Sequence, residues 1–334
     1  MDEDLPGRPI EKQRSAIHRI AGPLQIRNRG RKAKALFALA LVCFFWGTTW
    51  IASRQGVKHM PAIQLAGIRQ FIGGIAYVVF FLSKGRALPK GKEWWPVLIL
   101  SFLNFFLSNG LSTWGVKYIS AGLGSIIAAI FPLWLVIIGL FSAKSKMPAL
   151  AVIGLLLGFG GVCVIFYDQL HDFLNSDFRF GIFLSITATL SWAFGVLYTK
   201  QQAAEFNPYF SLGLQMVISG IAMYSIAVAS GYSIPVSEIP WQSWAAIAYL
   251  ATFGSVLSFI AYLYALQNLP TAQVSIYAYI NPVVAVLIGT LFFDEVFTPY
   301  IAVGGVITLA GVYMVNEAFR KKANPGNDPN KLLP

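Results

Sequence analysis

The chain has 334 residues, of which 56% are hydrophobic and only 12% charged. A soluble domain carries about 25% charged residues, so this composition excludes one and points to a polytopic membrane protein. The net charge of +11 gathers before the first apolar run and beside later ones, where it faces anionic lipid and not nucleic acid.

A membrane-spanning helix needs about 20 mainly apolar residues. Ten segments meet that length in chain order: 35–54, 61–82, 95–117, 121–142, 148–167, 180–200, 208–229, 241–268, 271–293 and 298–318. Spans three and eight exceed the minimum and are long enough to tilt. A basic N-terminal segment, residues 1–34, precedes span one. It is mostly polar, and no small-residue cleavage site follows the first apolar run, which argues against a removable signal peptide. Ile17, Ile20 and Leu24 share a helical face there, so the stretch is either an interfacial helix or a flexible tail. The connections are short and hold no soluble domain. The longest between the halves follows Tyr167 and carries Asp168, Asp172 and Asp177.

Spans four and nine carry one pattern twice. Ala121–Pro132 reads A-G-L-G-S-I-I-A-A-I-F-P and Thr271–Pro282 reads T-A-Q-V-S-I-Y-A-Y-I-N-P. Trp46 and Trp192, Pro61 and Pro208, Gly73 and Gly220, Gly154 and Gly304, and Gly161 and Gly311 extend the match at offsets of 146 to 150 residues. The expected organisation is a first five-helix repeat over 35–167, an external connecting loop over 168–179, a second repeat over 180–318 and a tail over 319–334. An odd number of spans per copy turns the second copy over, which gives the inverted repeat of many secondary transporters. The expected fold class is an all-α membrane protein: ten transmembrane helices as two inverted five-helix repeats around a central cavity.

Lys and Arg set the orientation. Twenty fall on one side: nine before span one, then Lys84, Arg86, Lys90, Lys92, Lys144, Lys146, Lys200, Arg320, Lys321, Lys322 and Lys331. Arg54, Lys58, Lys117 and Arg179 fall on the other, with Asp294 and Glu295. Both termini are therefore expected in the cytoplasm.

Several features together resemble the drug/metabolite transporter superfamily, in its EamA-type branch. They are Trp46-Gly47 in span one, the Pro-x7-Arg of Pro61 and Arg69, the mid-span Pro132 and Pro282, Asp294-Glu295 before span ten, and the 5+5 repeat. The resemblance covers residues 35–318, and the Trp- and Tyr-rich spans are similar to those of bacterial exporters of aromatic and other amino acids. It implies a multi-pass protein of the bacterial inner membrane that exports small metabolites. It also implies a substrate cavity between the halves, lined by spans one to four and six to nine, with spans five and ten peripheral.

Polar groups at membrane depth supply the candidate cavity residues. Arg69 is the one charge well inside an apolar run, where it costs at least ~2.5 kcal/mol on insertion scales. It faces the cavity and attracts a substrate carboxylate, pairs helices, or snorkels to the nearby interface. Ser101, Asn104, Ser108 and Ser112 step along one face of span three, with Asn109 one residue aside. They line the cavity or join helices. Ser258 and Tyr262 hold the positions in span eight that match Ser108 and Ser112. Trp46, Thr49, Trp50 and Ser53 share a face of span one, and Trp46 recurs as Trp192. Such an aromatic wall stacks an aromatic side chain or holds an ammonium, unless it is plain packing. Asn281 joins the set beside Pro282, with Trp114, Tyr264, Tyr277 and Tyr279 as weaker members. Pro132 and Pro282 kink their helices, either as gating hinges or as static bends. Gly154 and Gly158 form a G-x-x-x-G in span five, for helix packing or for dimerisation.

His18, His59 and His171 lie outside the spans, and no span holds Asp, Glu or His at depth. No H-E-x-x-H, G-x-S-x-G or P-loop occurs. Cys43 and Cys163 lack partner spacing, so no metal, disulfide or cofactor is expected. The expectation is a non-enzymatic secondary transporter in the lipid bilayer. It exports small metabolites, amino acids including aromatic ones, by alternating access, as a monomer or a dimer, with no nucleic-acid partner. A broad drug or metabolite carrier, for efflux or uptake, and a non-transporting scaffold are the alternatives. Without a carboxylate or His at depth, little or no proton coupling is expected.

Overall fold

The computed structural model describes residues 10–142, 148–168, 172–202, 207–269, 274 and 277–323. Lys144, Lys146, His171, Lys331 and the start of the second repeat motif at Thr271 lie outside the described residues. Among the described residues every regular element is helical. Helix α1 covers Ile10–Gly56, α2 Ala62–Ser83, α3 Gly91–Gly115, and α5 Ala149–Asp168. Between α3 and α5, α4 comprises Ala121–Ala129 and Phe131–Ser142. Helix α6 covers Ser176–Gln202, α7 Pro208–Ala229, α8 Trp241–Asn268, α9 Tyr277–Phe292 and α10 Pro299–Ala323. Six of these are long and apolar enough to cross a membrane, and α4, α5, α9 and α10 contain shorter apolar helices. Helix α1 is described from Ile10, so the stretch around Ile17–Leu24 is helical and continuous with span one.

Polar and glycine residues set the helix ends. Ser120 caps α4, its Oγ accepting from Leu123 N at 3.1 Å. Asn207 caps α7, its Oδ1 accepting from Tyr209 N at 3.0 Å and Phe210 N at 3.1 Å, with Pro208 at the first helical position. Gly85 and Gly231 close α2 and α7 with φ of +71° and +73°, where a side chain would be strained.

The inversion of the repeats is visible where equivalent helices cross. A Cβ added at Gly67 would meet Gly220 O at 3.0 Å, and one at Gly74 would meet Gly213 O at 2.7 Å. Rising along α2 from 67 to 74 thus descends α7 from 220 to 213, so the pair is antiparallel. Helices α5 and α10 repeat the arrangement: a Cβ added at Gly154 would meet Gly311 O at 2.7 Å, and one at Gly304 would meet Gly161 O at 2.6 Å. In each crossing residue i of one copy meets the equivalent of j in the other, as a pseudo-two-fold axis requires. Small residues at these points let backbones touch, which is how helices associate where lipid removes the hydrophobic drive. The G-x-x-x-G face of α5 is occupied by α10 and is not a free dimer surface. The remaining packing obeys the same symmetry. Helix α1 packs on α8 and α9, as α6 packs on α3 and α4.

Helices α3 and α8 each contain a π-helical stretch, Ser101–Gly110 and Leu250–Leu257. The two begin 149 residues apart, one less than the offset that aligned Ser108 with Ser258. In each, a side chain five residues on satisfies a backbone carbonyl. Asn109 Nδ2 donates to Asn104 O at 2.8 Å, and Ser258 Oγ donates to Phe253 O at 2.5 Å. Wide turns of this kind are rare and gather at functional sites.

The two prolines differ. Helix α4 breaks at Ile130, two residues before Pro132, where the missing N–H interrupts the ladder. Helix α9 runs through Pro282 unbroken. They are not a matched pair of breaks.

Candidate substrate cavity

A cavity of ≈ 170 Å³ lies between the halves. Helix α1 contributes Trp46, Thr49, Trp50 and Ser53; α2 contributes Arg69; α3 contributes Ser108, Asn109, Ser112 and Thr113. Ser125 and Phe131 come from α4, Thr189 and Trp192 from α6, Gly254, Ser255 and Phe259 from α8, and Tyr277 and Asn281 from α9. No lining residue comes from α7, contrary to the expectation that spans six to nine all face inward, because its apposed face is taken up by α2 and α3.

Arg69 is 5% exposed. Its Nη2 donates to Asn109 Oδ1 at 2.9 Å and to Thr113 Oγ1 at 3.2 Å. Its Nε is buried with no acceptor. The side chain therefore runs inward to α3 and does not snorkel. Among the described residues no Asp, Glu or His lines the cavity. The wall carries one fixed positive charge in a low-dielectric setting, with donor capacity left over.

The aromatic residues close the cavity towards the chain termini. Trp46 Nε1 donates to Gly254 O at 3.2 Å, tying α1 to the π turn of α8. Its ring lies 5.1 Å from Phe259, 5.1 Å from Tyr262 and 5.0 Å from Tyr277. Beneath them Ala35, Leu39, Val42 and Cys43 of α1 pack with Ala265 and Leu269 of α8 and with Val274. Asn281 joins this seal: with its amide oriented to satisfy both groups, Nδ2 donates to Tyr277 O at 3.0 Å and Cys43 O at 2.9 Å. The polar lining, by contrast, sits towards the opposite end. Ser53 is one turn from the end of α1, and Ser125 is one turn into α4.

The structure brings Trp46, Thr49, Trp50, Arg69, Ser108, Trp192 and Asn281 to one cavity. Four other candidates lie elsewhere. Asn104 points at Gly195 of α6, the only residue type that leaves room for it, and its Oδ1 has no partner. Ser258 is fully buried and spends its hydroxyl on the π turn. Tyr262 stands behind Trp46 in the aromatic seal. Tyr279 faces α5 and α10, with Tyr313 at 6.5 Å. Ser255, which the polar positions of span eight include, lines the cavity too, and Thr113, Ser125 and Thr189 line it beyond the residues expected from sequence. Ser125 had a signal, since it is the shared serine of the repeated motif.

Asp294-Glu295 serves structure at the loop end. Glu295 Oε1 accepts from Ala121 N at 2.8 Å and Oε2 from Gly122 N at 3.1 Å, so it caps α4 from the α9–α10 loop. Asp294 adopts φ +54°, in the left-handed region, to turn the chain there. Arg54 Nη1 donates to Val116 O at 2.7 Å and Lys117 O at 2.5 Å across a separate polar hollow of ≈ 460 Å³.

Comparison with known proteins agrees with this architecture. The EamA-like transporter family model matches residues 33–167 and 179–317, one match per repeat. Uncharacterized transporter YvbV of Bacillus subtilis (strain 168) is 27% identical over 85% of this chain and 92% of its own length. Uncharacterized inner membrane transporter YedA of Escherichia coli (strain K12) is 29% identical over 77% of this chain and 81% of its own. A WAT1-related chloroplastic protein of Arabidopsis thaliana is 26% identical over 82% of this chain and 67% of its own. A solved crystal structure shares the fold with a TM-score of 0.61 at 15% identity, covering 85% of this chain and 97% of that one. With ten helical spans, two inverted copies and a family match in each copy, the chain belongs to the EamA-like transporter family, a multi-pass integral membrane protein.

Proposed function

We propose that this transporter is a secondary carrier exporting small carboxylate-bearing metabolites, amino acids including aromatic ones among them, by alternating access. The observation that carries the reading is Arg69, a buried guanidinium on the cavity wall with an unused donor and no acidic neighbour there. A substrate carboxylate supplies the missing acceptor. The aromatic wall of Trp46, Trp50 and Trp192 then receives the apolar body.

With both termini cytoplasmic, as the Lys and Arg distribution supports, the seal lies on the cytoplasmic side and the polar cavity is offset outward. The inverted repeat supplies the second state, in which the halves exchange conformations and the seal moves to the other side. The hinge falls at the α4 break before Pro132 and at Pro282 in α9. The cavity is complete within one chain, so the working unit is a monomer. Counterflow in proteoliposomes with labelled Phe, Trp, Thr and Met tests the reading. Exchange of at least one is expected, and exchange of none overturns the amino-acid assignment.

A further inference from the structure

We infer that the cavity selects the anionic group of its substrate and ignores the α-ammonium, so that deaminated carboxylates with an apolar or aromatic body are substrates equal to the corresponding amino acids. The inference rests on the carrier reading above and refines its substrate class.

Donors and acceptors on the cavity wall are unbalanced. On the side of anions, Arg69 offers charge, and its Nε lies buried without an acceptor. A buried polar group in that state is costly, and a carboxylate oxygen relieves it. On the side of cations, a protein has three usual ligands: a carboxylate, a free backbone carbonyl and an aromatic face. Among the described residues no carboxylate lines the cavity. Three carbonyls of its lining residues are engaged from within. Gly254 O accepts from Trp46, and Trp46 O accepts from Thr49 at 2.6 Å. Asn109 O accepts from Ser112 at 3.1 Å. Gly254 and Asn109 lie in the wide turns, and the side chains of Trp46 and Ser112 close their carbonyls.

The remaining groups do not discriminate. Hydroxyls and the amide of Asn281 donate and accept alike. Aromatic faces take an apolar body as well as a cation. An α-ammonium would also sit within reach of Arg69 with nothing of opposite sign beside it. The asymmetry therefore favours an anion with a hydrophobic body over a zwitterion of the same shape.

The test uses the full chain, unmodified, in lipid nanodiscs, with calorimetric titration of three probes of one skeleton. L-Phenylalanine has both charges, 3-phenylpropionate has the carboxylate alone, and L-phenylalaninamide has the ammonium alone. The expected result is 3-phenylpropionate binding within threefold of phenylalanine or tighter, and phenylalaninamide at least tenfold weaker than either. If phenylalanine binds more than threefold tighter than 3-phenylpropionate, the ammonium is recognised. The inference then falls while the carboxylate carrier stands. Phenylalaninamide binding within tenfold of the acids, or neither acid binding, overturns both.

Discussion

Arg69 of α2 and Asn109 of α3 meet at 2.9 Å, and the same Asn109 holds the Asn104 carbonyl at 2.8 Å inside a π turn. One amide thus orients the only cavity charge among the described residues and stabilises the wide turn of the neighbouring helix. Its oxygen and its nitrogen serve the two tasks separately.

Replacing that amide removes both. A hydrogen bond to a charged group is worth about 1.5–3 kcal/mol. Asn109→Leu is expected to weaken binding of carboxylate substrates by about tenfold or more. Asn109→Asp places an acid beside Arg69 and is expected to abolish binding by neutralising it. Titration of each variant against labelled substrate checks both outcomes.

The crossing of α2 and α7 makes a sharper stability prediction. A Cβ at Gly74 would lie 2.7 Å from Gly213 O and Val217 N, both backbone atoms that cannot yield. Gly74→Leu is expected to cost about 1–3 kcal/mol or more by overpacking. Gly160→Ala, where nothing lies within 4 Å, is expected to be neutral. Thermal unfolding in detergent separates the two.

Glu295 caps α4 across the α9–α10 loop with two charge-assisted bonds. Glu295→Ala is expected to destabilise by about 1–2 kcal/mol, combining lost hydrogen bonds and a lost anion at a helix N-terminus. Glu295→Gln keeps one acceptor and is expected to lose about half as much. The same unfolding assay reads both.

Much of the fold was legible in the chain because membrane helices are constrained by length. Apolar runs marked ten spans, and odd repeat parity implied the inversion that the Gly67–Gly220 and Gly154–Gly311 contacts display. Arg69 was legible because a charge at depth is rare. The π turns were not legible. A one-residue insertion leaves no mark in apolar periodicity, yet it rotates the remainder of the helix. Asn109, one residue off the polar stripe, lines the cavity beside Ser108 and Ser112, while Asn104, on the stripe, faces Gly195. Ser258 lies off the cavity, its hydroxyl donating to Phe253 O within its own helix. Thr189 carried no signal, as a lone threonine in an apolar helix resembles any other.

The orientation is testable apart from the site. A fluorescent reporter that folds only in the cytoplasm, fused after Pro334, is expected to be bright, and an alkaline phosphatase fused there inactive. The reverse pattern would place the polar cavity on the cytoplasmic side.

The central claim is that Arg69 anchors a substrate carboxylate. Its most direct test is proteoliposome counterflow with wild-type protein, Arg69→Lys and Arg69→Met, Met being the residue at the repeat-equivalent position 216. Thermal unfolding confirms that each variant is folded. Folded Arg69→Met is predicted to lose exchange of carboxylate substrates by at least tenfold, with Arg69→Lys intermediate. Exchange at the wild-type rate by a folded Arg69→Met would contradict the claim.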